Sequence, residues 1–270
     1  MKKKKNKIIL IIAVVLLIGS ASLFIYPEIS KSIVKSEAKH TAESFDKRVN
    51  EIIESDDQSE KTAGAKNHKE AVEQGIINED GYLIDSVSGT VISEYPIVFR
   101  TDLNRLYKDS ASYNNQLKKR QDMNIDFSYA ALNLEDYGIY DDVYGYISIP
   151  SLDLTLPIYL GSTEYNMAIG VTHLMNTSLP IGGSGTNTVI AGHTGYIGRT
   201  FFDALPYLDT GDKVYVTNFW GTMTYRVISS KVIGETETND LYIQKGKDLL
   251  TLLTCADAGK KRYQVQCERK

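Results

Sequence analysis

Two cysteines occur in the 270 residues, and one of them stands where a nucleophile could. Cys255 closes the apolar run Leu249-Leu-Thr-Leu-Leu-Thr-Cys, and the turn formers Asp257 and Gly259 follow it. Such a run reads as a strand that stops at its last residue, which leaves the thiol partly open. Two fates stand for it at this point: the buried structural role common for free cysteine, or nucleophilic chemistry, which needs a base or a positive neighbour to supply thiolate. Cys267 ends the next run, Arg262-Tyr-Gln-Val-Gln-Cys. If the two runs pair as a hairpin around 256–261, Cys255 faces Arg262 and Cys267 lies beside Leu250. The sulfurs are then roughly 16 Å apart along a strand, beyond disulfide reach.

Four histidines could supply the base. His40 and His68 lie in polar surroundings and read as solvated. His173, in Gly170-Val-Thr-His-Leu, reads as an ordinary hydrogen-bonded histidine at a strand or loop edge. His193 differs: in Val189-Ile-Ala-Gly-His-Thr-Gly it follows a buried strand between two glycines, which let backbone and ligand approach closely. Across the inferred turn, Arg262 could steady an oxyanion or hold a carbonyl, a plain surface arginine being the alternative.

The elements that must position these groups follow from texture. After Tyr144, runs rich in Val, Ile, Thr and Tyr alternate with Gly and Pro: Tyr144–Ile149, Leu154–Tyr159, Thr188–Gly192, Lys213–Asn218, Met223–Ile233, Leu249–Thr254 and Arg262–Cys267. Seven strands at this spacing indicate a sandwich or closed barrel, with short helices expected at 163–170 and 200–208. Before them, Leu103, Leu106, Tyr107, Tyr113 and Leu117 recur at helical intervals behind a Thr101-Asp102 cap. Residues 27–102 form a polar extension, read as helix with breaks at Gly64, Gly75 and Gly81 and a small hairpin after Gly81. The folded unit is placed at 103–270.

Residues Ile8 to Tyr26 carry no charge and follow Lys2, Lys3, Lys4, Lys5 and Lys7. Nineteen helical residues span roughly 28 Å, the hydrocarbon thickness of a bilayer. This predicts a single anchor at 8–26 with a basic cytoplasmic tail at 1–7, everything after it lying outside. A cleaved leader ending near Ser20-Ala21-Ser22 is the alternative. Without those lysines, 25 Lys and Arg stand against 34 Asp and Glu, a net of −9. That body offers no basic footprint for nucleic acid, and no Cys/His cluster has zinc spacing, so no metal site is expected.

Thr251-Leu-Leu-Thr-Cys255 followed by Arg262, with Ala191-Gly-His193-Thr-Gly upstream, resembles the signature of sortases, the cysteine transpeptidases of Gram-positive cell surfaces. Gly145-Tyr-Ile-Ser-Ile-Pro150, Leu156-Pro-Ile-Tyr159, Gly170-Val-Thr-His-Leu174 and Thr177-Ser-Leu-Pro-Ile-Gly-Gly183 look like class C, the pilin-polymerising branch. The resemblance covers roughly 103–270. It implies a mostly β fold, an eight-stranded sortase-type barrel with short connecting helices, and it implies no cofactor. It also implies that Cys255 is the nucleophile, His193 the general acid/base and Arg262 the oxyanion partner, with Thr254, Ala191 and Gly192 at the substrate. The implied reaction cuts an LPxTG-like sorting signal between Thr and Gly through a thioester. The acyl half then passes to an amine, either a pilin lysine or a peptidoglycan precursor. A noncatalytic module that binds cell-wall ligands is the reading from another class. Class C members commonly carry an Asp-Pro-aromatic lid. Here Tyr113-Asn-Asn-Gln-Leu117 is present, while the following segment offers Asp126 and Phe127 without a proline.

Overall fold

The computed structural model describes residues 2–55, 68–93, 101–123 and 128–269. Eight strands close into a barrel: β1 Val143–Ile149, β2 Leu154–Leu160, β3 Val171–His173, β4 Thr186–Ala191, β5 Lys213–Asn218, β6 Gly221–Gly234, β7 Asp248–Ala256 and β8 Lys261–Arg269. The order around the barrel is β1-β2-β3-β4-β7-β8-β6-β5. Pairs β2/β3 and β4/β7 are parallel and the rest antiparallel. The seven strands expected from alternation are present. The eighth, β3, has three residues, too few for a two-residue period to register.

Alternation along the strands divides the barrel into an inside and an outside. Ile147, Ile149, Ile190, Leu250, Leu252, Val265 and Cys267 turn inward into one apolar cluster. Val189, Ile233 and Leu253 turn outward into a second cluster, roofed by Met123, Leu174 and Leu241. The far side carries a third, in which Tyr144, Phe219 and Leu179 meet α3, Leu103–Leu117.

Helix α3 starts on the expected cap, with the Asp102 side chain accepting from Arg105 N at 2.8 Å. Its buried stripe is Leu106, Ser110, Asn114 and Leu117, and Tyr107 is exposed. Both polar members are hydrogen-bonded. Ser110 meets the buried Tyr144 hydroxyl at 3.0 Å. Asn114 accepts from Leu179 N at 2.7 Å and donates to Leu179 O at 3.1 Å. Of the two helices expected between strands, α4 forms at Glu164–Ile169, whereas 200–208 yields only a 3-10 turn at Leu205–Tyr207. Pro206 inside that turn withholds the N–H a longer helix would need.

Upstream, α1 is continuous over Lys2–Ser55 and passes through Pro27. Several side chains within 8–26 lie outside the described residues, and among the described residues no helix is long and apolar enough to cross a membrane. The second half of α1 packs on the barrel. Ala38, Ala42 and Phe45 fall on one helical face and are buried. Phe45 lies 4.9 Å from the Phe219 ring and 6.0 Å edge-on to Tyr146, and burying such a side chain contributes about 1.5–3 kcal/mol. Lys35 pairs with Asp153, Arg48 pairs with Asp141, and the Tyr146 hydroxyl donates to Asp46. Residues 68–93 hold α2, His68–Glu73, and a small hairpin whose Ile84 bridges Val91, as expected after Gly81.

Candidate active site

Register pairs two chemistry-bearing residues on adjacent strands, and a third follows the end of the next strand. In the β7/β8 hairpin Cys255 pairs with Arg262 and Leu250 with Cys267, the pairing read from the turn residues. In the parallel β4/β7 pair Ala191 stands beside Leu253, and Gly192 N donates to Leu253 O at 3.0 Å. β4 ends at Ala191; carried on by two residues at a strand spacing of about 5 Å, the same register leads His193 towards the level of Cys255. Parity agrees. Val189 and Leu253 face outward, so alternation sends Cys255 to the outer face, antiparallel pairing puts Arg262 there with it, and the same alternation carried past the end of β4 points residue 193 that way.

Cys255 is partly exposed, whereas Cys267 is fully buried. Burial pushes the Cys267 thiol up to about 12, so it stays protonated and inert. His173 is likewise no base. Its Nε2–H donates to the carbonyls of Thr177 and Ser178, both at 3.1 Å, and burial pushes it down to about 4. It is a neutral core residue, the ordinary role expected of it.

His193 is held by its surroundings. Phe202 N donates to His193 O at 2.9 Å. The imidazole stacks on Tyr196 at 5.3 Å and 29°, with Phe201 at 6.3 Å. The Asp203 carboxylate accepts from Gly195 N at 2.7 Å and Phe201 N at 3.1 Å, which pins both sides of the loop. Gly192 is required where it stands, because a Cβ there would sit 2.9 Å from Phe202 and from Val171. Thr254 is buried, and its hydroxyl donates to Gly192 O at 2.7 Å, tying β7 to the segment that leads into His193. Ala191 packs against the outward cluster.

Between Cys255 and Arg262 the chain turns through three residues with positive φ: Asp257 at 50°, Ala258 at 52° and Gly259 at 89°. Left-handed backbone costs a non-glycine residue roughly 1–2 kcal/mol, and it persists here because the hairpin and the arginine hold it. Arg262 Nη1 donates to Gly259 O at 2.7 Å and Lys261 O at 3.0 Å, and Nη2 pairs with Glu235 at 2.7 Å. Of the five N–H donors of a guanidinium, these bonds leave Nε–H and one on Nη2 for a ligand. Asp203, Tyr196 and Glu235 were not singled out in the sequence. Asp203 and Glu235 act through contacts their neighbours do not announce, while the nearness of Tyr196 to His193 was a usable signal. Asp126 and Phe127 lie outside the described residues. Among the described residues no group of His, Cys, Asp or Glu is placed to hold a metal ion.

A partly exposed thiol, an imidazole on the segment that follows the neighbouring strand and a guanidinium with donors to spare can perform acyl transfer: attack, protonation of the leaving group and stabilisation of the oxyanion. Comparison with known proteins agrees. The Sortase domain family matches residues 147–270. Sortase A of Listeria monocytogenes is 33% identical over 116 residues, which cover 43% of this chain and 50% of that protein. The chain thus spans about half the length of the curated relatives it matches. The solved structure of sortase C1 of GBS pilus island 1 superimposes with a TM-score of 0.56 at 31% identity, covering 62% of this chain and 82% of that one. Sortase C-1 from Streptococcus pneumoniae superimposes with a TM-score of 0.56 at 33% identity, covering 62% and 89%. With this barrel, this alignment of strand ends and these relatives, the chain belongs to the sortase family.

Proposed function

We propose that the protein is a membrane-anchored cysteine transpeptidase that cleaves an LPxTG-like sorting signal between Thr and Gly and passes the acyl group to an amine, a pilin lysine in pilus assembly. The observation that carries this reading is the register β4-β7-β8, with Ala191 beside Leu253 and Cys255 opposite Arg262; its extension by two residues past β4 supports a site formed by positions 193, 255 and 262. The Cys255 thiolate attacks the Thr carbonyl, and the amide C–N bond breaks as His193 gives its proton to the leaving Gly amine. The free N–H pair of Arg262 takes the developing oxyanion. An incoming amine then attacks the thioester and loses a proton to His193 as the C–S bond breaks, which returns the Cys255 thiolate and the protonated histidine. The thioester conserves the energy of the broken amide, so no nucleotide is consumed. Ala191, Gly192 and Thr254 form the floor under the bound signal, and Asp126 and Phe127 are the lid candidates.

Residues 8–26 are the anchor in this reading, residues 1–7 lie in the cytoplasm and the barrel lies outside the cell. The class C structures among the similar proteins support the pilin lysine as acceptor. The test incubates the reduced full chain in detergent with a Leu-Pro-x-Thr-Gly peptide and two competing amines, a pilin-derived lysine peptide and a peptidoglycan precursor stem. A lysine isopeptide as main product is expected. Transfer mainly to the stem would replace pilus assembly by wall anchoring, and binding without cleavage would make the chain a noncatalytic wall-binding module.

A further inference from the structure

The β4–β5 connection carries two apolar side chains into solvent close to His193. Ile197 is 84% exposed, and Tyr196, the ring stacked on the imidazole, is 41% exposed. This loop is built, not loose: Asp203 pins Gly195 and Phe201 from inside it. Its tip lies against α1, since a Cβ on Gly198 would stand 2.6 Å from Ser30 Oγ. Helix α1 is itself fixed one to two turns further on, because Lys35 pairs with Asp153 and Ala38 is buried in the cluster that holds Phe201 and Phe202.

That contact sets a depth. Ser30 follows Tyr26, the last residue of the uncharged stretch, by four residues of continuous helix, a rise of about 6 Å. The headgroup layer on each side of a bilayer is about 5–7 Å thick. If residues 8–26 span the membrane, the reading on which this inference rests, the tip of the loop lies within that layer. Tyrosine rings are enriched at that depth, and an apolar side chain there gains by dipping to the acyl boundary. Ile29, exposed on α1, stands at the same level, and exposed Tyr26 lies one turn nearer the hydrocarbon.

We propose that the loop 194–200 is a membrane-contact element. Ile197 enters the boundary between headgroups and acyl chains, and Tyr196 joins that contact to the His193 ring, so the histidine side of the cleft faces the bilayer surface. The partner is the lipid bilayer itself, and an exposed loop tip that stays in water is the opposing outcome.

The test uses the full chain in vesicles of phosphatidylcholine and phosphatidylglycerol, with Trp220→Phe as background so that a single indole emits. Ile197→Trp is compared with Tyr107→Trp, on exposed α3 beside the β5–β6 turn at the other end of the barrel. Brominated acyl chains should quench the indole at 197 severalfold more than the one at 107, with a blue-shifted emission. Equal quenching at both positions, in a chain that floats with the vesicles, overturns the membrane contact and leaves the anchor standing. A chain that fails to float overturns both.

Discussion

Substituting Gly192 by alanine tests whether the seam between β4 and β7 sets the position of His193. The added Cβ would stand 2.9 Å from Phe202 and from Val171, both fully buried. An ordinary contact begins near 3.4 Å, so the segment must move by about 0.5 Å, carrying with it the bonds to Leu253 O and Thr254 Oγ1 and the next residue, His193. Overpacking of this kind costs about 1–3 kcal/mol, a loss of roughly 2–10 °C in melting temperature for a chain of this size. A misplacement of about 1 Å can cost 100-fold in rate, so half of it predicts about a tenfold fall in kcat/KM. Gly246→Ala is the matched control. Its φ is +82° with nothing within 4 Å of a Cβ, so it costs roughly 1–2 kcal/mol of backbone strain and leaves the seam untouched. Both variants should melt lower, and only Gly192→Ala should lose turnover when a quenched-fluorescence signal peptide is cleaved well below the melting range. Full turnover in a destabilised Gly192→Ala would refute the reasoning, as would equal losses in both.

Three further outcomes are expected. Iodoacetamide at pH 8 should modify one thiol in the folded chain, and peptide mapping should find it on Cys255, because Cys267 is buried and its thiol pushed up to about 12; labelling of Cys267 without unfolding would contradict the packing. His173 makes the fold acid-sensitive. It is neutral in the folded state down to about pH 4, while the unfolded chain takes up its proton near pH 6.5. The stability present above pH 6.5 is therefore lost as pH falls towards 4, by about 3 kcal/mol in all, and His173→Gln should flatten urea midpoints measured across that window. Arg262→Lys keeps the charge but loses the planar fork, so kcat should drop at least tenfold with little change in melting temperature, and near-normal turnover would remove Arg262 from the oxyanion role.

What could be read beforehand depended on how local its signal was. The β7/β8 hairpin announced itself, since two apolar runs flank Asp257 and Gly259, and the pairing of Cys255 with Arg262 follows from counting outward from that turn. His193 was visible because glycines flank it at a strand end. Docking of α1 was not, since Ala38 and Ala42 look like helix formers on a solvated face, and only Phe45 hints that the stripe is buried. The partner of Arg262 was equally hidden. Glu235 meets it through the long β6/β8 ladder, where Ile233 pairs with Arg262, and no spacing along the chain encodes that meeting. Strand β3 escaped because three residues show no period, and its existence depends on β2 and β4 on either side.

The most direct measurement of the central claim is the intact mass of the full chain after rapid acid quench of its reaction with a Leu-Pro-x-Thr-Gly peptide. The account predicts an adduct equal to the peptide's acyl half, mapped to Cys255, released by hydroxylamine and absent from Cys255→Ala. Cleavage of the peptide with no adduct on Cys255, or unchanged cleavage by Cys255→Ala, would contradict it.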